Sequence, residues 1–138
     1  MRAKIEEIYY YLPEHVVLNS DLSKTHPNWD MSLIKKRVGV EKRHIARKDE
    51  TSLDLAKEAC KSLFLNNNNL KNRLDGIIFC TQSPDYIMPP NACVLHKHLD
   101  LKTETFAFDI NLACSGYIYG LLLARSLIET YSATNILF

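Results

Sequence analysis

A cysteine set among small residues is the most chemically suggestive feature of this 138-residue chain. In Asp109-Ile110-Asn111-Leu112-Ala113-Cys114-Ser115-Gly116-Tyr117, Cys114 is flanked by Ala113, Ser115 and Gly116. A thiolate is a capable acyl nucleophile, and small neighbours let a carbonyl approach both the sulfur and the backbone N–H groups. Residues 103–108 alternate polar and apolar and predict a strand, while residues 116–129 are apolar, mostly free of breakers, and predict a helix. A thiol at that corner lies near the positive end of a helix dipole, where negative charge is favoured. On the residues alone two readings stand side by side: a nucleophile for acyl chemistry, or a structural corner cysteine.

The other chemical candidates are weaker. Cys60 recurs on the apolar stripe of a predicted helix, Cys80 ends an apolar run, and Cys93 sits beside Ala92, Val94 and Leu95. All three read as packed small residues rather than reactive thiols. No C-x-x-C pair occurs, so neither a zinc site nor a disulfide framework is expected, and a reducing compartment fits. His15, His26, His44, His96 and His98 have no context that marks a base. His96 and His98 are two apart and do not share a helix face, which argues against a metal pair. Lys35, Lys36, Arg37, Lys42, Arg43, His44, Arg47 and Lys48 form a local basic cluster, read as a solvated face or as a docking patch for a phosphate-bearing ligand or acidic protein. No phosphate-binding glycine motif is present.

Composition sets the frame for these residues. The chain is 46% hydrophobic and 24% charged with formal net charge +1, ordinary for a soluble globular domain and no pointer to nucleic acid or an anionic membrane. The N-terminus lacks the apolar core of a signal peptide, and the apolar run at 120–124 is far too short to span a bilayer. A cytoplasmic protein is expected.

The elements that must position Cys114 follow from periodicity. Strands are predicted at 5–12 and, buried on both faces, within 74–82. Short helices are predicted at 21–25 and 29–37, the second stopped by Gly39, followed by an exposed strand or loop at 40–46. The clearest helix opens at Thr51, carries Leu53, Ala56, Ala59, Cys60, Leu63 and Phe64 on one face, and ends at the asparagine tract 66–69. Residues 83–90 form a proline-rich loop, and 91–99 a helix with Asn91 as its expected cap. Residues 135–138 begin another strand. Alternation of helix and strand from Thr51 onward indicates an α/β layer with a mostly parallel sheet in one domain spanning 1–138. A final strand of four residues suggests a cut chain or half of a longer fold.

The segment around Cys114 resembles the active-site segment of β-ketoacyl-acyl-carrier-protein synthase III, a condensing enzyme of the thiolase superfamily. The resemblance extends through Tyr11-Leu12-Pro13-Glu14, Asn19-Ser20-Asp21-Leu22, the run from Lys36 to Ala46, Thr81-Gln82-Ser83-Pro84 and Pro89-Pro90-Asn91-Ala92-Cys93. It implies the N-terminal half of a thiolase-like fold, with a mostly parallel or mixed sheet, flanking helices and the nucleophile at a strand-to-helix turn.

The mechanism implied is acyl transfer from a thioester to Cys114, then decarboxylative condensation with malonyl-acyl carrier protein in fatty acid or related acyl-chain biosynthesis. Arg37 matches an entrance arginine that contacts coenzyme A, Thr81 a position lining the substrate tunnel, and Met88 a position reaching into the partner subunit's acyl tunnel. No cofactor is implied, since the acyl group arrives on coenzyme A or acyl carrier protein. Leu33 stands where many members have a tryptophan that stacks on the coenzyme A adenine, which favours the carrier protein as donor. A homodimer through the central sheet is implied, with Phe106 and Phe108 near the contact. The family's catalytic histidine and asparagine lie in its second half. The alternatives are an acyltransferase to an oxygen or nitrogen acceptor without decarboxylation, and an incomplete half that only binds or oligomerises.

Overall fold

The computed structural model describes residues 3–130 and 133–138. They fall into two compact units, one holding the residues up to Tyr11 and from Ser52 to Phe138, the other Leu12–Thr51.

In the unit Leu12–Thr51, strand β1 (His15–Leu18) pairs antiparallel with β2 (Lys42–Ile45), placing His15 opposite Ile45 and Leu18 opposite Lys42. Between them lie helices α1 (Asn19–Thr25) and α2 (Met31–Val38). Asp30 caps α2 by accepting the N–H groups of Ser32 and Leu33, each at 3.1 Å. The Ser32 hydroxyl and then the Leu33 N–H hold the Asp30 carboxyl below its ordinary range. Gly39 ends α2 at φ +75°, a left-handed conformation that favours glycine, and its N–H reaches the Lys35 carbonyl at 2.9 Å. The predicted stop at Gly39 therefore has a backbone cause.

The strand expected at 5–12 is not formed; the first strand is β1, beginning at His15. The apolar residues Ile5, Ile8, Tyr10 and Leu12 are exposed. A strand exists only through its ladder, and residues 5–12 take part in none of the strand pairings among the described residues.

The other unit opens with α3 (Ser52–Asn66) and a single 3-10 turn (Lys71–Arg73). Then follow β3 (Gly76–Cys80), α4 (Asn91–His98), β4 (Phe106–Ile110), α5 (Gly116–Thr130) and β5 (Ile136–Leu137). The sheet order is β4-β3-β5 and both pairings are parallel. The apolar run of β3 makes the central strand, as a strand covered on both faces should. Its odd residues Ile77 and Phe79 join Leu53 and Cys60 of α3 and Ala92 and Leu95 of α4 in one buried core. Alternation turns its even residues toward α5. Helix α5 approaches through Gly116, Gly120 and Ala124, all buried, while Ile118, Tyr119 and Leu122 remain exposed.

Two expectations shift. The strand placed at 103–108 begins at Phe106 and runs to Ile110. The reason lies at Thr105, whose buried hydroxyl donates to the Leu74 carbonyl at 2.9 Å while its N–H bonds Lys102 in a turn. The ladder starts one residue later, with the Phe106 N–H on the Asp75 carbonyl at 3.0 Å. Second, Asn91 does not cap α4. The Asp109 carboxylate, arriving from β4, accepts the N–H groups of Asn91 and Ala92, each at 2.8 Å. Asn91 is fully buried and instead ties Asp85, through its side-chain amide at 3.0 Å, and Ser52 at 3.3 Å.

Asp75 joins the start of β3 to the start of β5. Its carboxylate accepts the N–H of Thr134 at 2.6 Å, the Thr134 hydroxyl at 2.8 Å and the N–H of Asn135 at 3.0 Å. Partial desolvation pushes this carboxyl up, but those hydrogen bonds and the charge of Lys102 outweigh it and hold the group below the usual range.

Candidate active site

Parallel strands β3 and β4 end side by side, with Cys80 opposite Ile110. The chain continues past both ends, and the Thr81 N–H still reaches the Ile110 carbonyl at 3.2 Å. After Ile110 the backbone bends: the Leu112 N–H returns to Ile110 at 3.0 Å, and the Gly116 N–H to Ala113 at 2.8 Å. Cys114 lies within that turn, two residues before α5, and is exposed. Loops beyond the carboxyl ends of parallel strands are where α/β sheets place ligand sites.

An open cleft of about 520 Å³ forms there, lined by Cys80, Thr81, Gln82, Leu112, Ala113, Cys114, Tyr117 and Phe138. The Thr81 hydroxyl accepts the Ser83 N–H at 3.1 Å, which fixes the start of the proline-rich loop beside the cleft. The structure thus brings two of the expected site residues, Cys114 and Thr81, to one concavity.

The other two are not among its lining residues. Met88 is exposed, within the exposed run Tyr86-Ile87-Met88, and does not line the cleft. Arg37 belongs to the unit Leu12–Thr51, in the exposed last turn of α2. Much of the basic cluster around it is engaged within its own unit. Lys35 pairs with Glu41 at 2.9 Å, Arg43 donates to the Asn19 side-chain oxygen at 2.5 Å, and His44 Nδ1 donates to the Pro13 carbonyl at 2.5 Å.

The four thiols separate by environment. Cys60 is buried, and loss of hydration pushes its thiol up to about 11. Two expectations are corrected. Cys93 is exposed rather than packed, although its sulfur contacts the Ala107 carbonyl at 3.7 Å. Cys80 is half-buried and lines the cleft, its sulfur 3.8 Å from the Leu112 carbonyl. Cys80 sits on the even face of β3, which turns to α5 rather than to the core.

Among the described residues no histidine lines the cleft, and no cluster of three metal-ligating side chains occurs. Sequence reasoning missed three contributors: Cys80 and Tyr117 in the cleft wall, and Asp109, which locks β4 to the start of α4 just ahead of the turn. Alternation along Ile77-Ile78-Phe79-Cys80 puts Cys80 on the face opposite Phe79, but does not say which face meets the cleft. Nothing local to Asp109 marks its remote partners.

A three-stranded parallel sheet with helices on both faces, and a cysteine at the strand-to-helix corner beyond its carboxyl edge, defines a thiolase-like α/β unit. Residues 108–138 match the family described as 3-oxoacyl-[acyl-carrier-protein] synthase III. The chain is 40% identical to a β-ketoacyl-[acyl-carrier-protein] synthase III of Campylobacter curvus, over 99% of its own length and 41% of the relative's. It is 39% identical to the synthase III of Fusobacterium nucleatum over 96% of its length and 40% of the relative's. A crystal structure of a 3-oxoacyl-(acyl-carrier-protein) synthase III superposes with a TM-score of 0.89 at 42% identity, covering 99% of this chain and 40% of that one. Over nearly its whole length the chain is similar to 3-oxoacyl-acyl-carrier-protein synthase III proteins, and it spans about two fifths of the length of the relatives it matches. No helix among the described residues is long and apolar enough to cross a membrane.

Proposed function

We propose that this chain supplies the nucleophile-bearing part of a condensing acyltransferase, with Cys114 as the residue that takes the acyl group. The observation that carries the reading is the position of Cys114: exposed, in the turn between β4 and α5, with Thr81 in the same cleft. The Cys114 sulfur attacks the thioester carbonyl, the carrier thiol leaves, and an acyl-enzyme remains. Small residues on either side of the sulfur leave room for the tetrahedral intermediate.

The acyl-enzyme then condenses with malonyl-acyl carrier protein, which loses carbon dioxide to generate the attacking carbanion. The relatives' names carry acyl carrier protein, and this is the substrate class that we assign to the whole enzyme. Its histidine and asparagine partners lie outside these 138 residues. No resident cofactor is needed, because the acyl group arrives already activated as a thioester. Arg37 serves the donor's phosphate-bearing arm, and Met88 reaches toward the acyl chain of a partner subunit. A cytoplasmic homodimer through the central sheet is supported by the position of β4, which lies at the edge of the sheet. Phe106 and Phe108 stack on that strand at 6.0 Å.

Intact-mass spectrometry after exposure to a short acyl-coenzyme A, and to the same acyl group on acyl carrier protein, tests the first step. One acyl adduct on the wild-type chain, absent from Cys114→Ala, is expected. An adduct that survives in Cys114→Ala, or none on the wild type with either donor, overturns the assignment. The 138-residue chain by itself is expected to show no condensation with malonyl-acyl carrier protein.

A further inference from the structure

The acyl mechanism uses one thiol, yet two line the cleft. The Cys80 sulfur lies 3.8 Å from the carbonyl of Leu112, and a Cβ built on Gly116 would collide with it. Leu112 and Gly116 stand two residues before and two residues after Cys114. The Cys80 sulfur therefore sits against the backbone of the turn whose middle residue is Cys114. Cys80 itself is held at the end of the central strand, whereas Cys114 lies in a turn outside both strand and helix.

We propose that Cys80 is the resolving thiol of a redox switch on Cys114, with a hydroperoxide as the oxidant. The Cys114 sulfur attacks the O–O bond, takes one oxygen and is oxidised by two electrons to the sulfenic acid. The other peroxide oxygen leaves as water or an alcohol. The Cys80 sulfur then attacks the Cys114 sulfur, forming the S–S bond and expelling the sulfenic oxygen as water, which carries away the Cys80 proton. A disulfide needs Cα atoms roughly 4.4–6.8 Å apart, so closing the bond requires the turn carrying Cys114 to settle against the strand end. The bond removes the nucleophile from the cleft while protecting it from irreversible oxidation, and a dithiol restores it. Cys60 is buried in the core and Cys93 does not line the cleft, so neither competes.

The chemistry does not depend on Cys114 being acylated. The full chain is treated with a small excess of hydrogen peroxide, denatured in N-ethylmaleimide without reductant, digested and analysed by mass spectrometry. A Cys80–Cys114 linked peptide pair is expected, with loss of native Cys114 labelling by iodoacetamide that dithiothreitol fully restores. In Cys80→Ser, and in Cys80→Ala as a second packing variant, the same treatment should drive Cys114 to sulfinic and sulfonic acids that dithiothreitol does not reverse. Over-oxidation of Cys114 in the wild type to the same extent as in both variants overturns the proposal, and so does a link made to Cys93 or between chains. Failure of the untreated protein to take up an acyl group would count against the acyltransferase reading and leave this inference standing.

Discussion

The sulfur of Cys80 occupies the space that a Cβ on Gly116 would need. The glycine of the Ala113-Cys114-Ser115-Gly116 run is therefore set by a residue on the neighbouring strand, and the contact brings α5 down onto the end of β3 next to the nucleophile's turn. Gly116→Ala is expected to cost about 1–3 kcal/mol through overpacking, measured by urea denaturation. Cys80→Ala should lose little, and the double variant should recover most of the Gly116→Ala loss. Additive losses in the double variant would show that the two residues are not coupled.

Asp109 is the clamp on the other side of the turn. Its two 2.8 Å bonds satisfy the first N–H groups of α4, which no residue of α4 itself caps. Asp109→Ala should destabilise the chain by about 1–3 kcal/mol through two unsatisfied donors, with Asp109→Asn intermediate because one amide oxygen still accepts. Thermal unfolding of the three proteins side by side reads the order. Equal midpoints for Asp109→Ala and wild type would remove the clamp from the account.

Asp75 gives a pH dependence with a definite sign. Its carboxyl is lowered in the folded chain, so it contributes stability that is fully present above the unfolded value of about 3.9 and is lost as pH falls through the lower folded value. Wild type should be more stable than Asp75→Asn at neutral pH, with the difference shrinking as pH drops below about 4. Denaturation at a series of acidic pH values checks this. A difference that stays constant down to strongly acid pH would mean that the carboxylate's charge is not what joins β3 to β5.

Thiol labelling should divide the cysteines by burial. Near neutral pH, native Cys60 should react with iodoacetamide far more slowly than Cys93 and Cys114, because burial blocks access and pushes its thiol to about 11. All four should label at similar rates once the chain is unfolded in guanidinium. Peptide mapping over time gives the order, and rapid native labelling of Cys60 would show that the core between α3 and β3 opens readily.

Much of this protein was legible in its residues because the signals are local. The stripe of Leu53, Cys60 and Leu63 states which face of α3 is buried, and the unbroken run Gly76-Ile77-Ile78-Phe79-Cys80 states that β3 lies at the centre of a sheet. Gly39 marks the end of α2, and the small residues around Cys114 mark a corner open to chemistry. Periodicity, capping and side-chain size act within one or two turns of chain, so a sequence displays them directly.

The partnerships between distant residues arise only in the folded chain. Residues 5–12 have strand composition but no ladder, because hydrogen-bond partners are not written in composition. Cys80 entered the cleft, and not the core, because parallel pairing with β4 and the approach of α5 fixed which side of β3 its sulfur faces. Asp109 caps a helix that begins 18 residues earlier in the chain, and the Asn91 expected to cap it is buried holding Asp85 and Ser52. Periodicity, capping and residue size are enough to mark most of the elements and the nucleophile's corner. The long-range hydrogen bonds and close contacts that hold that corner became visible only once the strands had been laid side by side.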